Sequence, residues 1–518
     1  MPVKPTRRIQ LTGKQLKALQ GRIKDRRLAE DDWQIVEALA QTVECLNQAI
    51  AEKDTSLGRL CKYLLGAPTE TAKNILKQIA KEETAAPKAK PKGHGRNPAA
   101  SYPGGQRVVI DHATLSKGDS CPGCARGKIY ELALPSVFVH VVGQAPLKAT
   151  VYERVRLRCN LCGEIFTPEL PQEVKDKKFD DSATAMLALL KYGCGMPLHR
   201  LENLQKSLGN PLPTSTQWDI LNAGGVILSP VHDALIETAA KGEIIHNDDT
   251  TMKVLSFLKQ QTPENDRKGI FTTGIVSLWQ DRKIALFMTG NQHAGENLTD
   301  LLKQRSLGLP PPIQMCDALS RNASKEFETI MANCLTHARR QFVELVDRFP
   351  EECTHVIKAL GKVYHRDALA KEQNLTPEQR LLYHQTHSGP VMDDLKSWCK
   401  QQFEEKQVEP NSGLGKAVQY LLNHWEKLNR FLEIAGAPLD NNICERILKH
   451  AILHRKNALF FKTQRGAYVG DLFMSLIHTC QLTGTNPLDY LTWLFKYAQQ
   501  LQASPHEFLP WHYGNSPP

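Results

Sequence analysis

Long apolar runs are missing from this sequence, and that is the first constraint on what it does. No stretch approaches the roughly 18 uninterrupted apolar residues of a membrane span. The polar, basic start Met1-Pro-Val-Lys-Pro-Thr-Arg-Arg also lacks the apolar segment of a secretory signal. No membrane partner is expected, and the expected location is the cytoplasm. A dominant charge is absent too: 65 lysines and arginines face 55 aspartates and glutamates, a net +10 over 518 residues. Such a balance favours a polyanionic partner only weakly. Cysteine is not scarce, but its count of 13 is odd. Without an export signal, metal ligation is a better use for it than a disulfide framework. With 41% apolar residues, a chain this long supports several cores, and multidomain α+β architecture is the expected class.

The first organised element is a heptad-like series, Val36, Leu39, Val43, Leu46, Ile50, Leu57, Leu60 and Leu64, with Lys53 filling one slot. It predicts a coiled coil that makes a homodimer or higher oligomer, against the plainer reading of an amphipathic helix on its own domain. Residues 1–83 are assigned to this region and 84–107 to a basic linker, whose Lys, Pro, Gly and Ser cannot bury a core. The linker is either a solvated tether or a segment laid along phosphates.

Residues 108–172 hold Cys121-Pro-Gly-Cys124 and Cys159-Asn-Leu-Cys162, separated by strand-type residues such as Val137, Phe138, Val139 and Val151. Two short-spaced thiol pairs fit one tetrahedral Zn2+ in a zinc-ribbon-like module. Four thiolates leave no open position, so that ion is structural. In residues 173–238, a helix over Pro197–Leu208, a turn around Gly209 and a helix from Thr214 to Leu221 match a helix-turn-helix or any helical hairpin.

From residue 239 to 470 the pattern is strand-like over Glu243–Asp249, Gly269–Leu278 and Lys283–Met288, helical over Glu296–Leu302, then strand-like over Pro312–Asp317. Three strands, a helix and a fourth strand open a ribonuclease-H-like α/β core, in which the first and fourth strands are neighbours. Asp248 or Asp249 ends the first strand and Asp317 ends the fourth. Carboxylates so placed suit hard divalent ions such as Mg2+, two of which stabilise both oxygens of an in-line phosphoryl displacement. The interval to the next candidate carboxylate is too long for such a core alone, so residues 345–435 are expected to be a helical insertion. Residues 471–518 are expected to be a helical tail.

The run Pro438-Leu-Asp-Asn-Asn-Ile-Cys-Glu-Arg-Ile-Leu-Lys449, followed by His454-Arg-Lys-Asn-Ala-Leu-Phe460, resembles the signature of the IS66 family of bacterial transposases. Cys334-Leu-Thr-His-Ala-Arg-Arg-Gln-Phe342, Gly93-His-Gly-Arg96, the paired cysteines, Leu414-Gly-Lys-Ala-Val-Gln-Tyr420 with Trp425, and Thr483-Gly-Thr-Asn-Pro-Leu-Asp-Tyr-Leu491 extend the likeness over nearly the whole chain. The resemblance implies DNA cleavage and strand transfer at terminal inverted repeats, with Asp248, Asp317 and Glu445 holding two Mg2+ or Mn2+ ions.

The family has Asp-Glu-Thr where this chain has Asp248-Asp249-Thr250, so Asp249 is the alternative first ligand. Small accessory proteins of the same element are expected partners. Arg96, His337, Arg339, Arg340, Arg446, Lys449, Arg455 and Lys456 are the expected DNA contacts. For each cation near Glu445, surface salt bridging is the plainer alternative. A catalytically inactive zinc-containing DNA-binding protein and a nuclease without strand transfer are the rival functions, separable by cleavage and joining assays.

Overall fold

The computed structural model describes residues 178–259 and 269–514 without a break. It also describes most of 107–174, residue 100, and scattered positions between 19 and 37. The chain divides into two units, Met1–Ala85 and Ala86–Pro518. Within the first, the Arg22 guanidinium forks onto Asp32 through two 2.8 Å bonds, and the Ala29 amide donates to the same carboxylate. The heptad positions from Leu39 to Leu64 and the linker Arg96 lie outside the described residues.

In the second unit, strands β1 (Leu157–Arg158) and β2 (Ile165–Phe166) pair antiparallel around Cys159 and Cys162. A bridge between Ser120 and Lys128 similarly encloses Cys121 and Cys124. The strand-type residues Val137, Phe138, Val139 and Val151 form no strand and are exposed. Their β-propensity has no described partner surface to act on, which is what such propensity depends on.

Next come α1 (Asp181–Ala188), α2 (Leu198–Ser207) and α3 (Thr214–Ala239). Asp180 caps α1, accepting the Ala183 amide at 2.8 Å. The α2–turn–α3 hairpin has Gly209 at φ +76, but α3 does not stop near Leu221. It runs 26 residues and buries Leu221, Leu228, Val231 and Leu235 in the common core. The short second helix expected from the sequence is therefore the first part of a long core helix. Its apolar face continues past Leu221, and the helix runs on through Gly224, Gly225 and Pro230.

The sheet is formed by β3 (Ile244–Thr251), β4 (Phe271–Trp279), β5 (Arg282–Gly290), β6 (Ile313–Cys316) and β7 (Ile330–Asn333). Its order is β5-β4-β3-β6-β7, antiparallel through β5, β4 and β3, then parallel from β3 to β6 to β7. The first and fourth strands are thus neighbours, as the sequence pattern required. Helix α4 (Leu255–Lys259) follows β3, and α5 (Ala294–Leu302) fills the crossover between β5 and β6.

After β7 the described chain is helical through α6 (Leu335–Leu345), α7 (Pro350–Glu372), α8 (Pro377–His387), α9 (Gly389–Glu404), α10 (Gly413–Asn423) and α11 (Trp425–Leu428). Asp367 stitches α7 to α8. Burial would raise its carboxyl, but His384, Arg380 and Lys371 together hold it well below the usual range. Helices α12 (Asn442–Ala458), α13 (Gln464–Thr483) and α14 (Pro487–Lys496) follow, then the short α15 (Ala498–Ala503), and side chains of all four enter the same core as the sheet. Among the described residues, no helix is long and apolar enough to cross a membrane.

Strand β5 is the edge of the sheet, where outward N–H groups need partners. Helix α13 supplies them. Thr289 N donates to Asp471 Oδ2 at 2.7 Å, Phe287 N to Ser475 Oγ at 3.0 Å and Ala285 N to Thr479 Oγ1 at 3.0 Å. Four helical residues rise about 6 Å and two strand residues about 6.6 Å, so the two ladders stay in step. Replacing Ser475 by Ala leaves the buried Phe287 N–H without its acceptor. The expected loss is about 1–3 kcal/mol in urea unfolding, and an unchanged midpoint would contradict the ladder.

Candidate active site

Strand β3 alternates its side chains between two helices. His246 faces the α12 side and Asn247 and Asp249 face the α5 side, so Asp248 returns to α12. In the parallel pairing His246 lies opposite Met315, and the same register continued by two residues sets Asp317 opposite Asp248. Asp317 is held by the Asn322 amide and by the Leu319 N–H at 3.2 Å. Buried Asn247 and Gln314 both donate to the Asn322 carbonyl, at 2.8 and 2.6 Å, which ties that loop to β3 and β6.

Asp249 is spent elsewhere. Its carboxylate, 1% exposed, takes Arg321 at 3.1 Å and His293 at 3.2 Å, with the first amide of α5 at 3.4 Å. It braces a helix N-terminus, where a negative charge is favourable, and it is on the opposite face from Asp248.

Glu445 lies in the first turn of α12. The helix docks closely because β4 has Gly274 beneath it: a Cβ there would sit 2.8 Å from Leu448 Cγ. Its N-terminus is pinned by Asn441, which is fully buried. Asn441 Nδ2 donates to the Asn247 carbonyl at 3.1 Å, Oδ1 accepts His246 Nδ1 at 3.0 Å, and its backbone N–H donates to Cys334 Sγ at 3.3 Å. Burial lowers His246 to about 4, against the opposing effect of the Asn441 bond, so this contact is made by a neutral ring.

Burial, then the charge of Asp317, with smaller contributions from Asp249 and Glu445, pushes the Asp248 carboxyl up to about 7, although the Asp249 amide favours its charge. The three acidic groups are thus near enough for Asp248 to feel the other two charges. Their oxygens are not all within 4.8 Å of one another, and among the described residues the trio that meets this spacing is Cys334, His337 and Glu445. Glu445 leans towards α6, with His337 Nδ1 at 3.7 Å and Arg340 at 3.8 Å.

A cleft of about 260 Å³ opens here, lined by Asp317, His337, Arg340 and Tyr420 among others. Tyr420 comes from α10, and burial followed by the Asp317 charge raises its phenol to about 12. The sequence reading gave Tyr420 no role. Its only signal was membership of the Leu414–Tyr420 motif. A larger open hollow of about 560 Å³, lined by residues including Asp233, Glu237 and Lys241, holds none of the expected residues.

The expected DNA-contacting cations divide. Arg446, Lys449 and Lys456 are exposed along one side of α12. Arg455 instead bonds Thr250 Oγ1 at 3.1 Å and Thr251 Oγ1 at 2.6 Å, fastening α12 to the end of β3. Arg339 stacks over Tyr364 at 5.5 Å. The four candidate zinc thiols stand as two turns, and they do not gather within ligand spacing of one another. Backbone N–H groups of Arg126 and Gly127, then the Cys121 thiol, lower the Cys124 thiol.

Replacing Asn441 by Ala strands the His246 N–H and the Asn247 carbonyl, each at about 1–3 kcal/mol. Denaturant unfolding should show at least one such loss, with partial recovery in Asn441→Asp, which keeps the acceptor for His246.

Residues 177–469 match the family described as "Transposase IS66 family". Relatives include "Uncharacterized protein y4hP" of Sinorhizobium fredii (strain NBRC 101917 / NGR234), 26% identical over 439 residues, covering 79% of this chain and 75% of that one. "Uncharacterized protein y4jD" of the same strain is 24% identical over 493 residues, covering 88% and 92%. Because the family match spans more than half of the 518 residues, the chain belongs to the IS66 family of transposases.

Proposed function

We propose that the protein is a DNA transposase whose ribonuclease-H-like core cleaves and joins DNA with Asp248, Asp317 and Glu445 as ligands of two divalent ions, Mg2+ or Mn2+. The strand order with β3 beside β6 supports the fold reading. The observation that carries the reaction is Asp248, pushed up to about 7 by burial, then by Asp317 and more weakly by Glu445. Glu445 Oε1 is buried without a hydrogen-bond donor. Converging acids with an unsatisfied oxygen are the environment a cation completes.

Bound there, the ions supply Lewis-acid activation of the attacking oxygen, water for nicking and a 3′ hydroxyl for joining, and neutralise charge on the phosphate. The chain's own residues do the rest. Asp248 must release its proton to serve as a ligand. Asn322 and Asn441 hold Asp317 and the Glu445 helix in place. Arg446, Lys449 and Lys456 offer an exposed cationic side for the phosphate backbone. Tyr420 keeps its phenolic proton as a donor in the cleft.

Elsewhere, Cys121, Cys124, Cys159 and Cys162 would hold one structural zinc ion once their two turns close on it, a reading supported by the paired turns and the lowered Cys124 thiol. The zinc module, the α2–α3 hairpin and the linker with Arg96 contact the inverted repeats. The heptad region pairs two protomers so that both ends are cut together, with small proteins of the same element assisting on cytoplasmic DNA.

Asp317→Asn or Glu445→Gln should abolish Mg2+-dependent cleavage of an oligonucleotide carrying the element's end while leaving end binding largely intact. Full activity in either variant overturns the assignment. For Asp248 the folded-state value of about 7 lies above the ordinary carboxylate range. Its contribution to ion-free stability is therefore present below about pH 4 and lost as pH rises through 7. Thermal midpoints of Asp248→Asn measured without divalent ions should fall less over that window than those of the wild type.

A further inference from the structure

We infer that Cys334, His337 and Glu445 form a binding site for one borderline-soft divalent ion, zinc above all, and that this site competes with the hard-ion site for Glu445. The competition rests on the function proposed above. The site itself does not.

Cys334 is the N-cap of α6 and His337 lies three residues on, so both donors sit on one side of the first helical turn. Glu445 comes from the first turn of α12. The two helix starts are locked together by the Asn441 N–H on Cys334 Sγ at 3.3 Å and by the Leu335 N–H on the Leu439 carbonyl at 3.0 Å. The three donor atoms lie within 4.8 Å of one another, the one such group of histidine, cysteine and acidic residues among the described residues.

The second observation is independent of spacing. His337 Nδ1 and Glu445 Oε1 face each other at 3.7 Å, too far for a hydrogen bond, and both atoms are buried with no partner. Two ligands of a tetrahedral zinc ion stand about 3.4 Å apart, from bonds of about 2.1 Å. An ion between them would satisfy both orphaned atoms with little movement.

The donor set decides the ion. A thiol and an imidazole favour zinc or cobalt, whereas magnesium takes oxygen ligands and retained water. Three protein ligands leave a fourth position open, and the side chains of His337 and Glu445 are 25% and 21% exposed, so the site is reached from the cleft. Arg340, 3.8 Å from the other Glu445 oxygen, repels a cation and restrains its affinity. Such a site fills and empties with the supply of metal. When it is filled, the Cys334 thiol has released its proton to solvent and Glu445 is committed to α6, away from Asp248 and Asp317.

Two measurements on the full chain test this. In the first, metal-free protein is titrated with Co2+, and the equivalents that develop a thiolate-to-cobalt charge-transfer band are counted. The wild type should bind one equivalent more than Cys334→Ser, with the four-cysteine module unaltered in both. Because Cys334 is buried, the partly exposed His337→Ala, with its fold checked by circular dichroism, is the paired variant and should lose the same equivalent. Equal equivalents in all three proteins overturn the site.

In the second, Mg2+-dependent cleavage of an end-bearing duplex is titrated with Zn2+. Each protein is normalised to its own zinc-free rate. Cys334→Ser should need about tenfold more zinc or above for half inhibition, the scale of losing one ligand contact. Identical zinc sensitivity overturns the competition. A wild type that never cleaves DNA would sink the proposed function, and the cobalt count would still decide the site.

Discussion

The Asn441 side chain and amide are the junction on which the site depends. One residue holds the inner strand through the Asn247 carbonyl, a neutral His246 ring, and the Cys334 sulfur at the start of α6. Each bond is buried, so each is made in a low-dielectric interior where an unmade one is costly. Helix α12 is thereby fixed in register with the strand carrying Asp248, and Gly274 lets it approach closely enough to bring Glu445 near.

Rigid support matters because the groups it gathers repel. Burial first, then the charge of Asp317 and more weakly that of Glu445, raises the Asp248 carboxyl. The surrounding scaffold opposes relaxation from several directions: Asn322 grips Asp317, Arg321 and the start of α5 take the neighbouring Asp249, and α13 closes the exposed edge of β5. Glu445 faces His337 and Arg340 across the start of α6.

Where the sequence was legible, it was because local pattern and tertiary role coincide. The period-two segments around His246, Ile275, Leu286 and Met315 are strands because each buries one or both faces, and the apolar periodicity of α13 and α14 is helical for the same reason. It was less legible where a partner surface decides. Thr214–Leu221 reads as a short second helix, but its apolar face continues to Ala239 because the core extends that far. Val137 to Val139 have strand-forming side chains and no sheet to join among the described residues. Arg455 reads as a phosphate contact from its charge, whereas Thr250 and Thr251 occupy it. Tyr420 reads only as part of a motif, because nothing local reveals that the insertion returns α10 to Asp317.

By itself the sequence determined the family and the order of strands and helices around β3 to β6, since these follow from side-chain periodicity and long motifs. Tertiary structure decided which of two adjacent aspartates faces the others. The alternation of β3 makes Asp248 and Asp249 point apart, and only the helices packed on each face determine which direction is the cleft. It also decided that Glu445 meets Cys334 and His337, residues more than a hundred positions away. That contact depends on two helix starts being locked by buried hydrogen bonds, which no local pattern encodes.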